Sequence, residues 1–504
     1  MRKFLKKCKK EIFLFLSTNL IWAAIGVSLA YILQYITDTA LQNITGRILQ
    51  IVTMAALYLV FDTMFEFASS YTEIILRTKL SQLLRNEIVR RIQNCSIEEK
   101  EQMGNAHYLS ILNNNVATVE TEYVHGILMV VFQVFSLVFA LIATTLIQPI
   151  MTVVVIALCV IPLFVPKLLK KKLEKLNREA LSSKAKYLEF LNEFLEGFQT
   201  IKIFGRGCEI NRYHKKINEE TTNKVQFNSK WRRISMSLSY GMGNFVVIGA
   251  WVFGAAFALN GSISIPQLIA LTTLMNMVAG PFQIISEYYA GIVSGRAVAR
   301  DILGFIDSEC SASEYKSEEE DLKTIELKGV SVIRNSDYIL DNIQIKIEKG
   351  QKVGIIGSSG SGKSTLLKVV AGILQAQTGN ILLNGTMLPN HDGLTHRDLL
   401  YLAQDTDIFS ATICENITLY KNIPDDDVEK AIYKAGLTTW FKRLGSNLHV
   451  AFDKSSINLS GGELKRVDFA RSLLEKAAII LFDEPTAGLD KFYARSIMGQ
   501  ICAM

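Results

Sequence analysis

Three long stretches of this chain contain no Asp, Glu, Lys or Arg, and they constrain its fold more than any other feature. Ile12 to Ile36 makes 25 such residues, Tyr123 to Pro166 makes 44, and Ile234 to Ser286 makes 53. A helix needs about 20 apolar residues to cross the hydrocarbon core of a bilayer. The first stretch is therefore one span, and the other two are each long enough for a pair. Gln148-Pro149 is the natural turn in the second stretch, and Asn260-Gly261-Ser262 with Pro266 marks it in the third. A weaker run, Ile48 to Phe61, has 14 uncharged residues before Asp62 and Glu66. It becomes a span if its helix continues past those acids. The count is then six, at about 12–36, 48–70, 123–147, 149–170, 234–259 and 266–286.

Basic residues orient the spans. Residues 1–10 carry six of them, and 167–178 carry Lys167, Lys170, Lys171, Lys172, Lys175 and Arg178, while Arg232-Arg233 precede the fifth span. The alternate connections are short and hold only Asp38 and Arg47. The positive-inside rule then puts the N-terminus, both long loops and everything after residue 287 in the cytosol of a multi-pass plasma-membrane protein. The first run is too long for the 7–15-residue apolar region of a secretory signal. The long loops, 62–122 and 167–233, read as amphipathic helix that carries the spans into the cytosol as stalks. Seven cysteines (8, 95, 159, 208, 310, 414 and 502) fall on the cytosolic side or within spans, at spacings that suit neither a disulfide framework nor a metal.

Composition agrees with this division. A chain of 504 residues exceeds one core. Only 20% of it is charged against 49% hydrophobic, with mean hydropathy +0.23, which excludes a disordered chain and an ordinary soluble enzyme. A net charge of +6 over this length is too weak to argue nucleic acid. Residues 1–307 form the membrane part. The acidic, Ser- and Glu-rich stretch 308–322 reads as a linker, and 323–504 as a cytosolic α/β domain.

In that domain TIELKGVSVI, YILDNIQIKI and QKVGIIG read as strands, and the last runs into GSSGSGKST at 357–365. A G-x-x-x-x-G-K-S loop after a strand and before a helix, here Leu366–Ile373, is a phosphate-binding P-loop. Gly357, Gly360 and Gly362 let the backbone curl so that its N–H groups face phosphate oxygens. Lys363 supplies the cation for the β- and γ-phosphates, and the Ser364 hydroxyl is a Mg²⁺ ligand. AAIILFDEP (477–485) reads as a buried strand ending in two acids. Asp483 suits Mg²⁺, and Glu484 suits orientation of an attacking water. LSGGE (459–463) opens a helix, Leu464–Leu474, so that Ser460, Gly461 and Gly462 form an anion site at its N-terminus. Two phosphate-binding loops on one domain are explained by pairing with a second copy, each nucleotide held between the P-loop of one subunit and the Ser-Gly-Gly helix of the other.

Six spans followed by these motifs in this order resemble the ABC exporter half-transporters over nearly the whole chain. The resemblance implies a membrane all-α six-helix bundle with cytosolic helical extensions, followed by an α/β P-loop NTPase domain of ABC type. It implies ATP and Mg²⁺, with Gly357, Ser358, Gly360, Ser361, Gly362, Lys363, Ser364 and Thr365 around the phosphates. Ser364, Gln404 and Asp483 would hold the metal, and Glu484 with Gln404 would serve catalysis. It makes YLAQD, with Gln404, the glutamine loop and AGLD, ending in Asp490, the D-loop. It also places a coupling helix near Phe204–Cys208, and 98–116 resembles the first cytosolic loop of the family. Three departures stand out. Arg334 occupies the usual adenine-stacking aromatic position, with Tyr338 four residues on, and Glu463 replaces the usual Gln. The six histidines (107, 125, 214, 391, 396 and 449) all precede Asp483, and 14 residues follow Asp490. The resemblance therefore implies an ATPase domain short at its C-terminus and lacking the switch histidine.

In the membrane part, Asp62 and Glu66 lie one turn apart on one helix face. Asp62 stands 14 residues from Ile48, about 21 Å of rise. The two acids either line a substrate cavity, lie in a cytosolic stalk, or pair with a neighbouring helix. His125 reads as interface packing. The leading function is ATP-driven export of a peptide, lipid or amphipathic small molecule by a dimer with a second half-transporter, identical or different. The alternatives are a nucleotide-binding, hydrolysis-deficient partner subunit and an inactive truncated product.

Overall fold

The uncharged runs fold as helices that continue well beyond them. The computed structural model describes residues 1–160, 164–308, 323–334, 337–387, 399–404, 406–451, 460–487 and 491–503. The chain divides into two compact units, Met1–Arg90 with Ala106–Ser308, and Arg91–Asn105 with Glu309–Met504. The expected linker lies outside the described residues, apart from Ser308.

The first unit is helical. Its main elements are α1 (Lys9–Leu41), α2 (Ile48–Gln93), α3 (His125–Ile147), α4 (Pro149–Val160), α5 (Phe164–Glu196), α6 (Gly207–Leu259) and α7 (Ile265–Asp307). Among the described residues, five helical stretches are long and apolar enough to cross a membrane, and α4, at 12 residues, is a shorter apolar one. Helix α2 does continue past Asp62 and Glu66, for 46 residues in all, about 69 Å at 1.5 Å per residue. A capping box starts α7: Ser264 Oγ accepts from the Gln267 N–H at 3.3 Å, and Gln267 Oε1 accepts from the Ser264 N–H at 2.8 Å. The chain reaches α3 through two π-helical turns, Ile111–Asn115 and Val119–Val124.

Small residues let these helices approach. Ala30, Ala140, Ala143, Ala250 and Ala270 are buried around Leu271, Leu274, Met275 and Val278. A Cβ on Gly295 of α7 would stand 2.8 Å from the backbone nitrogen of Tyr123. The amphipathic stalk expected within 167–233 begins as the C-terminal part of α5, followed by a short helix at Phe198–Ile203 and a turn at Gly205 (φ 65°) before α6. Ile203 and Phe204 at that turn are exposed.

The second unit is α/β. Strands β1 (Thr324–Arg334) and β2 (Asp337–Glu348) form an antiparallel hairpin extended by β3 (Thr378–Leu383) and β4 (Thr386–Met387) in the order β2-β1-β3-β4. Along β1 the buried apolar positions are Ile325, Leu327, Val330 and Val332. The alternation slips by one residue at Gly329, whose φ of 62° accommodates a bulge. Helix α8 (Lys363–Val370) packs on this sheet through Leu366, Val369 and Val370. A second, parallel sheet pairs β5 (Leu399–Leu402) with β6 (Ile479–Phe482). Four helices, α9 (Ile413–Thr418), α10 (Asp425–Lys434), α11 (Thr438–Arg443) and α12 (Gly461–Leu474), enclose a separate apolar cluster around Trp440 and Phe441. Helix α13 (Lys491–Ala503) follows.

One expectation is corrected. QKVGIIG is not part of either sheet. An apolar run becomes a strand only when a neighbour takes up its backbone groups. Among the described residues none does so here, and Ile356 is 98% exposed.

Candidate nucleotide-binding site

The P-loop curls as its glycines dictate. Gly360 and Gly362 have φ of 80° and 86°, values that side chains rarely tolerate. A Cβ on Gly362 would also stand 2.8 Å from the carbonyl oxygen of Ile339 in β2. The loop therefore passes directly over the hairpin that carries Tyr338, which is 62% exposed. Arg334 ends β1 opposite Asp337. Lys363 begins α8, and its ammonium reaches back to donate to the carbonyls of Gly357 (3.0 Å) and Ser358 (2.7 Å). Its charge thus lies across the mouth of the loop, with Ser361 and Thr365 flanking the turn into α8.

Parallel pairing of β5 and β6 assembles the acidic side. With Leu402 opposite Phe482, the two strands end together, as ligand sites in parallel sheets require. The Asp483 N–H then donates to the Leu402 carbonyl at 3.0 Å. Both oxygens of the Asp483 carboxylate accept, Oδ1 from the Ser364 hydroxyl at 2.9 Å and Oδ2 from the Tyr401 hydroxyl at 3.0 Å. The next residue, Glu484, has φ 50°, a left-handed backbone on a side chain with no special tolerance for it. Gln404 Nε2 donates to Glu484 Oε2 at 3.1 Å, and Lys465 Nζ donates to the Glu484 carbonyl at 2.9 Å. Tyr401 and Lys465 were not singled out in the sequence. Tyr401 sits in the YLAQD strand three residues before Gln404, so strand register alone could have flagged it. Lys465 carried no signal.

Ser460 is the N-cap of α12. Its Oγ accepts from the Glu463 N–H (3.2 Å), while Glu463 Oε2 accepts from the Ser460 N–H (2.9 Å). The Glu that replaces the usual Gln therefore closes a capping box. Burial pushes the Glu463 carboxyl up, but the Ser460 N–H and hydroxyl and the Arg443 guanidinium outweigh it and hold the carboxyl below its ordinary value. Gly461 and Gly462 form the first turn. Leu459 and the D-loop residue Asp490 lie outside the described residues.

The donor set fits Mg²⁺. A hydroxyl and a carboxylate 2.9 Å apart are hard oxygen ligands. Mg²⁺ takes one or two such groups together with phosphate oxygens and water. No cluster of three or more His, Cys, Asp or Glu among the described residues offers a self-sufficient metal cage.

In the first unit, Asp62 accepts from Trp22 Nε1 at 3.1 Å, and the Trp22 ring stacks on Phe132 with centroids 4.5 Å apart. Glu66 is exposed and accepts from the Ser70 hydroxyl at 3.1 Å. His125 does more than pack: its Nδ1 lies 2.6 Å from Glu73, a buried carboxylate that also pairs with Arg77. Among the described residues His214 meets Tyr187 and His449 meets Asp425. Among the described cysteines, Cys8, Cys95, Cys159, Cys208, Cys414 and Cys502 are free thiols.

Comparison with known proteins agrees with this arrangement. Residues 12–282 match the ABC transporter transmembrane region, and residues 340–487 match the family described as ABC transporter. A probable ABC transporter ATP-binding/permease protein of Haemophilus influenzae is 25% identical over 433 residues, covering 83% of this chain and 77% of that protein. The ATP-dependent lipid A-core flippase of Desulfotalea psychrophila is 28% identical over 351 residues, 68% of this chain and 61% of the relative. The transport/processing ATP-binding protein ComA of Streptococcus pneumoniae is 27% identical over 374 residues, 72% of this chain and 50% of the relative. A bacterial Atm1-family ABC exporter solved with ATP bound shares the fold, with a TM-score of 0.83 at 18% identity over 98% of this chain and 89% of that one. A membrane-embedded helical region fused to a P-loop domain, matched over both parts, makes this chain a member of the ABC transporter family, with its permease and ATP-binding regions in one polypeptide.

Proposed function

We propose that the chain is one half of an ATP-driven exporter of the plasma membrane, with its N-terminus and ATP-binding region in the cytosol. It pairs with a second half-transporter and moves a peptide, lipid or amphipathic small molecule outward by alternating access. The observation that carries the ATPase reading is the juxtaposition of Ser364 with Asp483 and of Gln404 with Glu484. These residues are 119 and 80 positions apart in sequence, and a nucleotide-hydrolysing site gives them a common purpose.

In this reading Lys363 exchanges its two loop carbonyls for phosphate oxygens, a charge-assisted contact stronger than the neutral ones it replaces. The glycine-shaped turn aims backbone N–H groups at the same oxygens. Ser364 and Asp483 hold Mg²⁺, which when bound neutralises charge developing on the phosphates. Glu484, its carbonyl held by Lys465 and its carboxylate by Gln404, orients and polarises water. Tyr338, beside the P-loop, with Arg334 at the end of β1, serves the adenine. Ser460, Gly461 and Gly462 present the N-terminus of α12, and Asp490 the D-loop, to the nucleotide of the partner.

A second reading rests on the histidines. None of those described contacts Glu484, so these 504 residues would act as a nucleotide-binding partner whose companion hydrolyses. The ATPase rate of the purified chain, with Glu484→Gln as control, separates the two. Turnover abolished by Glu484→Gln supports the exporter half. Nucleotide binding without turnover, restored by a complementary subunit, supports the second reading.

A further inference from the structure

Tyr401 is a strand residue whose hydroxyl ends on an acid of the nucleotide site. Strands β5 and β6 pair in parallel, with Leu399 opposite Ile479 and Tyr401 opposite Leu481. Alternate residues share a face of a strand, so these four side chains lie together. All four belong to, or pack against, the apolar cluster that β1 and α8 also line. Packing of that kind fixes the rotamer of a side chain. The Tyr401 hydroxyl donates from there to Asp483 Oδ2 at 3.0 Å. A part-buried phenol needs a partner, and that need alone would explain the contact if the acid were an ordinary one.

Asp483 is not ordinary, because its two oxygens meet groups of different kinds. Oδ1 accepts from the Ser364 hydroxyl at 2.9 Å, the P-loop group that fits Mg²⁺. Oδ2 accepts from a phenol seated in a packed strand and belonging to no loop. The Asp483 N–H is anchored too, on the Leu402 carbonyl at 3.0 Å. With its backbone and both oxygens held, the carboxylate has one oxygen to offer a cation beside Ser364. Chelation by both oxygens would have to take Oδ2 from the phenol. That difference separates two common cations. Mg²⁺ demands near-octahedral geometry at about 2.0–2.1 Å, which the narrow bite of one carboxylate strains. Ca²⁺ accepts about six to eight oxygens at roughly 2.3–2.6 Å, and a carboxylate can give it both.

We propose that Tyr401 is the positioning residue that sets the cation preference of the nucleotide site. By holding Oδ2 it limits Asp483 to one oxygen, and so favours the Mg²⁺ complex of a nucleoside triphosphate over the Ca²⁺ complex. Tyr401 acts through Asp483 and not on the nucleotide. The assignment rests on the ATP-site reading given above, and adds to it the choice of metal.

The test is titration of the full chain in detergent with a fluorescent, non-hydrolysable ATP analogue. It is run in saturating Mg²⁺, in saturating Ca²⁺ and in EDTA. Saturation keeps the nucleotide fully complexed, so the ratio of the two dissociation constants reports the preference of the protein itself. The parent is expected to bind the Mg²⁺ complex more tightly. Tyr401→Phe keeps the packed ring and removes the hydroxyl. It should reduce the preference about tenfold, the scale of one hydrogen bond to a charged group, and leave the EDTA value unchanged. In an Asp483→Asn background the same change should move the ratio by less than about twofold, because the coupled partner is gone. A parent without the preference overturns the proposal, as does a ratio unchanged by Tyr401→Phe. An equal shift in both backgrounds overturns it too, since Tyr401 would then not act through Asp483. So does affinity lowered by one common factor in Mg²⁺, Ca²⁺ and EDTA, the mark of a tyrosine that merely supports the fold. A parent that binds no nucleotide under any of the three conditions would overturn the ATP-site reading, and the assignment with it.

Discussion

Lys363 is held by two neutral carbonyls, an arrangement that phosphate oxygens improve upon. Hydrogen bonds to charged groups contribute about 1.5–3 kcal/mol, so Lys363→Ala should reduce ATP affinity by one to two orders of magnitude. A fluorescent nucleotide analogue bound equally well by both proteins would remove Lys363 from the site. Lys465 acts through another residue. It donates to the carbonyl of Glu484, whose left-handed backbone costs of order 1–3 kcal/mol unless its surroundings hold it. Lys465→Met should lower ATP turnover about tenfold with nucleotide Kd unchanged, and Lys465→Arg should restore most of it. Equal turnover in Lys465→Met and the parent would mean the contact is incidental.

At the scale of elements, two glycines of α7 separate packing from propensity. A Cβ at Gly295 meets the Tyr123 backbone, whereas one at Gly304 meets nothing within 4 Å. Overpacking costs about 1–3 kcal/mol, and Gly→Ala in an open helix stabilises by about 0.4–1 kcal/mol. Thermal unfolding in detergent should therefore show Gly295→Ala melting below the parent and Gly304→Ala at or above it. Equal shifts would show that α7 and the π-helical turn are not in contact. The start of α12 responds to pH. Because the folded Glu463 carboxyl titrates below its ordinary value, its contribution is present above the unfolded value near 4.3. It is lost as pH falls through the lower folded value. Glu463→Gln keeps the capping box without the charge, so the parent's advantage over it should vanish below about pH 4. The Arg443 side of the Arg443–Glu463 pair is exposed to solvent, which keeps that advantage small. An advantage that grows on acidification would reverse the assignment.

For the whole molecule, the paired-copy arrangement is the part most open to test. The Ser460 hydroxyl and the Glu463 N–H are engaged by the capping box, and in the function proposed above the Gly461 and Gly462 N–H groups meet a partner's nucleotide. Ser460→Arg should leave nucleotide binding by one chain intact and abolish ATP-induced cross-linking of the Glu484→Gln form. Cross-linking that persists would overturn the shared site.

Membrane helices and P-loop were legible because both obey local rules. An uncharged run of 25 residues has few homes except a bilayer, and Gly360 and Gly362 stand where the turn requires positive φ. The acids of AAIILFDEP could be assigned to a strand end for the same reason. Their partners could not be read. That Tyr401 rather than another hydroxyl takes the second oxygen of Asp483 depends on the register of β5 against β6. The tie between Lys465 and Glu484 depends on how α12 lies beside that strand. His125 looked like packing because its carboxylate, Glu73, is 52 residues away. QKVGIIG was misread because its apolar pattern says what such a segment prefers and not whether a neighbouring strand is there to receive it. Spans, glycine turns and helix caps are decided within a few residues by hydropathy and backbone sterics, so the chain determines them alone. The second ligand of each acid and the carboxylate that meets His125 are set by which distant elements share a wall. That is decided only when tertiary packing chooses among contacts whose local energies are nearly equal.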